Sequence, residues 1–423
     1  MGAFDTQRPP EQSVIDDCVH CGLCLETCPT YVLWGAEADS PRGRIVLAND
    51  GLNSQAPMSD EMVTHFDRCL GCMACVSSCP SGVRYDRLIE RVRPQVERHH
   101  HRSPGERALR WLLYETLPHP KRLRALAPML AASRRLGMDR ALPERLAAVA
   151  KVAPQAPVGR AAKARVPVLT PAVGPSRGRV GLLLGCVQRV FYPGVHRATV
   201  HALSAEGFEV HAPTLPDCCG ALEFHGGEEP AAIGRAQATI AAFAAAGGPA
   251  GLDHIVINAA GCGSAMKEYG ELLGTDEARE FSSRVRDVSE LLASVESRAP
   301  RGPVPLRVVY HDACHLAHAQ GIRTAPRELL RALPGLELIE VGAERDVCCG
   351  SAGIYNLVQP EAAAELGARK ARHLIDTGAQ AIAAGNPGCA AQLDMHLRQL
   401  GCPLPIHHPV ELVSRSITAA TRY

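Results

Sequence analysis

Two short stretches of this chain concentrate sulfur. Residues 18–29 read CVHCGLCLETCP, and residues 69–80 read CLGCMACVSSCP. Each sets three thiols at intervals of three residues, a fourth after four more, and a proline directly behind. A C-x2-C-x2-C loop is tight enough to aim three thiolates at one inorganic cube, and the fourth, where the chain turns away, reaches the neighbouring cube. Gly22 and Gly71 free backbone N–H groups to bond the sulfurs, while Pro29 and Pro80 redirect the backbone and remove a donor beside the last ligand. The spacing predicts two [4Fe–4S] clusters with crossed ligation. Cys18, Cys21, Cys24 and Cys79 surround the first; Cys69, Cys72, Cys75 and Cys28 surround the second. Zinc also favours C-x2-C, but it takes two pairs rather than three thiols plus one.

Seventeen cysteines in 423 residues is the outlying count. A secreted chain would spend them on disulfides, but it would be smaller and would open on an apolar leader. Here the start is polar and contains proline, so a reducing cytosol and metal ligation are expected. MGAFDT fits the bare myristoylation pattern at Gly2 and Thr6, set against an ordinary flexible start. A net charge of +1 calls for no polyanionic partner, and no apolar run reaches the roughly 18 residues that span a bilayer.

Farther along, the chain repeats itself. Cys186, the adjacent pair Cys218 and Cys219, and Cys262 recur as Cys314, Cys348 with Cys349, and Cys389, at offsets of 128, 130 and 127 residues. Adjacent thiols cannot both point inward from regular structure, so a distorted loop with Gly220 or Gly350 is expected to present them to one metal centre. Buried structural cysteine and a vicinal redox disulfide are the competing readings.

The elements that must hold these thiols follow from pattern. In each unit short apolar runs (RVGLLLG, FEVHAP, HIVINAA; then LRVVYH, LELIEV, AQAIAAG) alternate with helical stretches. That alternation predicts parallel α/β sheets, whose ligands gather at strand carboxyl ends. Cys186, Cys262, Cys314 and Cys389 each follow such a strand, and none of those strands is followed by G-x-G-x-x-G. The fold class expected is α+β and α/β together. A helical two-cluster domain over 1–98 precedes a helical connector over 99–150 and a Pro/Ala/Gly-rich linker over 151–178. Cysteine-rich units then cover 179–300 and 301–423. Pro94, Pro118 and Pro143 are read as helix breaks or starts, His99, His100 and His101 as solvated. Arg42 and Arg44 are read as surface or packing residues, or as charges tuning a cluster.

Through CVHCGLCLETCPTY, DRCLGCMACVSSCPSGVRY, CCGALEFHGGE, HDACHLAHAQGIR and GNPGCAAQ, the chain resembles the family containing the iron–sulfur subunit of glycolate oxidase. Lactate-utilisation proteins, the iron–sulfur subunit of anaerobic glycerol-3-phosphate dehydrogenase and heterodisulfide reductase are its relatives. The resemblance implies an electron-transfer subunit fed by FAD-binding subunits that oxidise glycolate to glyoxylate. It also implies delivery to a quinone-type acceptor and peripheral attachment at the inner face of a membrane. Turnover by the chain alone is not expected. The alternatives are a heterodisulfide-reductase-like thiol–disulfide enzyme, or the equivalent subunit for lactate or glycerol 3-phosphate. Relatives with non-cubane clusters close each unit with C-x2-C; here Ala259 and Asn386 stand at the earlier positions, leaving four thiols per unit for an ordinary cluster, zinc or nothing. His225 and His315 are candidate ligands or proton donors, and Cys402 is read as structural.

Overall fold

A computed structural model describes residues 2–53, 56–135, 152–154, 165–248 and 251–421. The N-terminal segment is helical throughout, and its core joins Ile45, Val63, Phe66, Leu88, Ile89 and Val92. Helix Tyr85–His99 supplies Leu88, Ile89, Val92 and Val96 to that core, because they recur on one face. Pro94 lies inside this helix instead of ending it. Its φ suits a helix, and the cost is the Glu90 carbonyl, which loses its usual partner and is crowded by the ring.

The start of the chain is tied to the same helix, not flexible. Ala3 is buried, and Asp5 accepts from Arg98 at 2.8 Å while its N–H donates to Gln95 at 2.9 Å. The histidine run is therefore only partly solvated: His99 meets Asp5 at 2.9 Å and His100 lies 3.5 Å from Asp60, leaving His101 exposed.

Two connector helices strap this segment to the rest. Pro104–Thr116 packs Leu109 and Leu113 on Ile354 and Leu357, and Pro120–Arg135 packs Leu123 and Ala127 on Val190 and Phe191. Most of the helix expected over PERLAAVAKVA lies outside the described residues, as do residues 151 and 155–164 of the expected linker.

Beyond them stand two sheets of like topology. The first runs β1 (Leu169–Thr170), β3 (Phe208–His211), β2 (Gly178–Leu182), β4 (His254–Ile257), β5 (Val285–Asp287). The second runs β7 (Leu336–Ile339), β6 (Leu306–His311), β8 (Ala381–Ala384), β9 (Ile406–His407). All pairings are parallel except β1, which falls within the expected linker and caps the edge of β3 antiparallel. The mixed α/β class expected from the alternating pattern is what the chain adopts. One core spans both sheets, uniting Val180, Leu182 and Val256 with Val308, Tyr310 and Ala383. The C-terminal helix Pro409–Ala420 leaves the second sheet to pack along helix Pro193–Ala205 of the first.

Candidate functional site

In each sheet the chain crosses first to one side of the opening strand and then to the other. Such a switch point opens a crevice at the carboxyl ends of the two central strands. Cys186 follows β2 and Cys262 follows β4; Cys314 follows β6 and Cys389 follows β8. Loops after β3 and β7 bring in the Cys-Cys pairs. Gly220 and Gly350 behind them have φ of +80° and +83°, a turn that L side chains resist. The two crevices face each other: Ala260 N–H donates to the Gly385 carbonyl at 3.1 Å, and Gly261 N–H to Asn386 Oδ1 at 3.4 Å. All eight thiols of the two units therefore line one cavity of about 570 Å³.

Within each unit the thiols are in mutual contact. Cys314 and Cys348 lie 3.8 Å apart. Cys218 is held low by hydrogen bonds from Cys186 and Cys219, while Cys186 and Cys219 are pushed well up. In the second unit Cys349 is the low one, through Cys348 and Cys389, which are pushed up in turn. One cation attends each group, half-buried in the first and buried in the second. Arg235 pairs with buried Glu223 beside Cys218, and buried Lys370 donates to the carbonyls of Glu344 and Arg345 near Cys349. Where an earlier cysteine is missing, Asn386 Nδ2 donates to Cys389 Sγ at 3.5 Å.

The N-terminal thiols form two groups of different exposure. Cys18, Cys21, Cys24 and Cys79 line a common pocket that the buried Cys75 also reaches, with Cys21 exposed and Val19 and Leu23 beside it 67% and 60% accessible. Cys28, Cys69, Cys72 and Cys75 are buried. Burial pushes the Cys24 thiol up to about 11, and burial with the neighbouring thiols drives Cys72 and Cys75 well above their ordinary value. Thiolates crowded this way need a metal cation to coexist, so the donor set fits iron–sulfur centres. Around Cys69, Gly71 N–H donates to Sγ at 3.4 Å and Tyr85 O–H at 3.7 Å. Arg44 is 1% exposed, donates to the His65 carbonyl at 2.7 Å and to Thr30 at 3.2 Å, and lies in the field of Cys69 and Cys28. It is both a packing residue and a buried charge. Arg42 stays at the surface, clamped to Glu37 at 2.6 Å and to the His20 carbonyl at 2.9 Å.

The buried group abuts the second unit. His315 bonds the Gly71 carbonyl at 2.9 Å, Ser77 meets His318 at 2.6 Å, and Cys314 adds to the upward push on Cys72. His225 and His315 stack edge to face at 4.7 Å, with His225 fixed by Glu90 at 2.8 Å. The two candidate histidines thus meet each other at the junction of the three segments. The imidazole that joins a thiol group is His311, whose ring lies within 4.8 Å of Cys349 and Cys389. Its place at the end of a strand, three residues before Cys314, was the available signal. Cys402, half-buried, lies beyond β8 and its N–H donates to the Leu397 carbonyl at 2.9 Å.

Comparisons with known proteins agree with this layout. The 4Fe-4S dicluster domain family matches residues 14–83, and the cysteine-rich domain family matches 180–267 and 308–394. A family described as the linker region of the glycolate oxidase iron–sulfur subunit matches 105–153. The glycolate oxidase iron–sulfur subunit of Escherichia coli (strain K12) is 34% identical over 412 residues, 96% of this chain and 95% of that one. The probable glycolate oxidase iron–sulfur subunit of Bacillus subtilis (strain 168) is 34% identical over 403 residues, 91% and 89% of the two chains. A lactate utilization protein of Shouchella clausii (strain KSM-K16) shares 28% over 241 residues, 56% of this chain and 98% of that one. With two runs of cluster-spaced thiols leading into paired cysteine-rich sheets, and with relatives matched almost end to end, the chain belongs to the family of glycolate oxidase iron–sulfur subunits and serves as an electron-transfer subunit.

Proposed function

We propose that this chain accepts electrons from an FAD-binding partner that oxidises glycolate to glyoxylate, and hands them toward a quinone-type acceptor. Cys18, Cys21, Cys24 and Cys79 hold one [4Fe–4S] cube and Cys69, Cys72, Cys75 and Cys28 the other. Held there, such cubes would supply one-electron transfer, suited to dividing the electron pair of a flavin. The carrying observation is the graded burial of the two groups. Cys21, Val19 and Leu23 leave the first open to a partner, whereas the second is buried and abuts His315 and Cys314 of the interior.

The residues around these thiols do the remaining work. Gly71 and Tyr85 donate to Cys69 Sγ, and Arg44 sets a fixed positive charge beside Cys28 and Cys69. Hydrogen bonds and positive charge at the sulfurs favour the reduced state. The shared cavity, walled by apolar side chains including Leu113, Leu117, Phe191 and Ile354, is sized for an organic acceptor. No helix among the described residues is long and apolar enough to cross a membrane; attachment to the inner face through the complex is part of this reading.

The anaerobically purified chain is expected to show cluster absorbance and dithionite-dependent paramagnetic signals, with no glycolate oxidation until the flavoprotein partner is added. Glycolate turnover by the chain alone overturns the reading, as does a colourless preparation.

A further inference from the structure

The two units share topology and thiol spacing but differ at one ligand-bearing position. At the end of β6, three residues before Cys314, stands His311; the corresponding residue before Cys186 is Leu183. Leu183 is 3% exposed and belongs to the apolar core around Ile255 and Met266. His311 is 2% exposed; its Nε2 meets no nitrogen or oxygen partner, and the ring faces the Cys349 thiol, which it helps to hold low. An imidazole buried at that depth with an unmet nitrogen is costly unless something coordinates it.

The ring nitrogen and the sulfurs of Cys349 and Cys389 all lie within 4.8 Å of one another, the one such trio among the described residues. Ligands on a single metal atom sit this close: tetrahedral sulfurs about 2.3 Å from zinc are about 3.8 Å apart. Cys348 and Cys314 continue the group, themselves 3.8 Å apart. Strand geometry explains how the ring reaches the thiols. His311 is the last residue of β6 and lies in register with Ala384 at the end of β8, and Cys389 follows two residues into the helix Pro387–Gln399.

We propose that His311 is a metal ligand, completing with Cys349 and Cys389 a mixed nitrogen–sulfur centre of iron or zinc in the second unit. The first unit, with Leu183, binds through sulfur alone or stays empty. The imidazole compensates for the thiol missing at Asn386, whose amide serves as a hydrogen-bond donor to Cys389. Nitrogen ligation would distinguish this centre from the all-thiolate cubes nearby, because neutral imidazole removes one negative charge and raises the potential of an iron centre.

The test uses full-length chain purified anaerobically, with natural and with 15N-labelled histidine. Metals are counted by mass spectrometry, iron centres examined by pulsed paramagnetic resonance and zinc by X-ray absorption. The expected result is metal beyond the eight irons of two cubes, with a histidine nitrogen coupled to it. His311→Leu, which copies the first unit, should lower the second unit's metal content about tenfold or more and abolish the nitrogen signal. His311→Cys should retain the metal in an all-sulfur shell. Wild-type chain needs no variant for the decisive reading: a sulfur-only shell there overturns the inference. Unchanged metal and signal in His311→Leu do so as well. Finding no metal beyond eight irons overturns the inference while leaving the electron-transfer reading intact.

Discussion

The two cysteine-rich units are the same fold bearing different inner ends. At the end of β2 the first unit continues Leu183-Leu184, both buried in apolar cores; at the end of β6 the second continues His311-Asp312. Asp312 is held by Arg327 in two bonds of 2.9 and 2.6 Å, and Arg327 also reaches Glu340 at 2.8 Å and covers the Tyr310 ring. Thr199 stands at the place of Arg327 in the first unit, bonded only to the Val195 carbonyl and Asn258. Duplication kept the strand order and the thiol spacing, which packing and ligation demand. It left the residues beneath the thiols free to diverge, and the second unit carries imidazole and a buried ion pair where the first carries leucine and threonine.

The largest expected consequence is at Arg327. Arg327→Ala strands the buried Asp312 carboxylate and should cost about 3–5 kcal/mol in denaturant unfolding, whereas Thr199→Ala should cost about 1 kcal/mol. Equal losses at the two positions would erase the contrast between the units.

The turns behind the Cys-Cys pairs offer a second contrast. A Cβ on Gly350 would lie 2.7 Å from the Ala363 carbonyl oxygen, a backbone atom; one on Gly220 would press on the Arg235 side chain at 3.0 Å and meet the Ala232 carbonyl oxygen at an ordinary 3.5 Å. Gly350→Ala is expected to cost about 3 kcal/mol and Gly220→Ala about 1 kcal/mol. Melting curves of the two variants, with metal counts, check the order.

The seam between the units should respond to acid. Burial lowers the His408 pKa to about 3, and its Nδ1 accepts from Val410 N–H at 3.1 Å to cap helix Pro409–Ala420. Its folded pKa is below the unfolded value of about 6.5, so the unfolded chain binds the extra proton. The stability is complete above that value and declines as pH falls, by about 2 kcal/mol at pH 5. His408→Asn keeps a capping oxygen without the titration, and should flatten the pH dependence of melting between pH 7 and 5 by that amount. A slope equal to wild type would place the acid sensitivity elsewhere.

Much of this was legible in advance because its causes are local. The N-terminal runs announce themselves in a dozen residues each, since a tight loop's reach is set by covalent geometry. Strands β2, β3, β4, β6, β7 and β8 were evident as apolar runs between helical stretches. Strands β1, β5 and β9 have two or three residues each, too few to show a period, and β5 carries Arg286 and Asp287 within its three. Pro94 misled because proline's usual cost in a helix was here met by the burial of Leu88, Ile89 and Val92. His99 was misjudged because its partner, Asp5, is 94 residues away.

Thiol number, spacing and duplication were thus settled by sequence alone, together with the chemistry of sulfur ligation. Which thiols share a cavity, which group is sealed and which exposed, and which histidine joins a ligand set were decided by tertiary structure. The reason is that these depend on strand ends from distant segments converging at paired switch points. Burial and proximity there arise from packing between segments more than a hundred residues apart, and no local spacing encodes them.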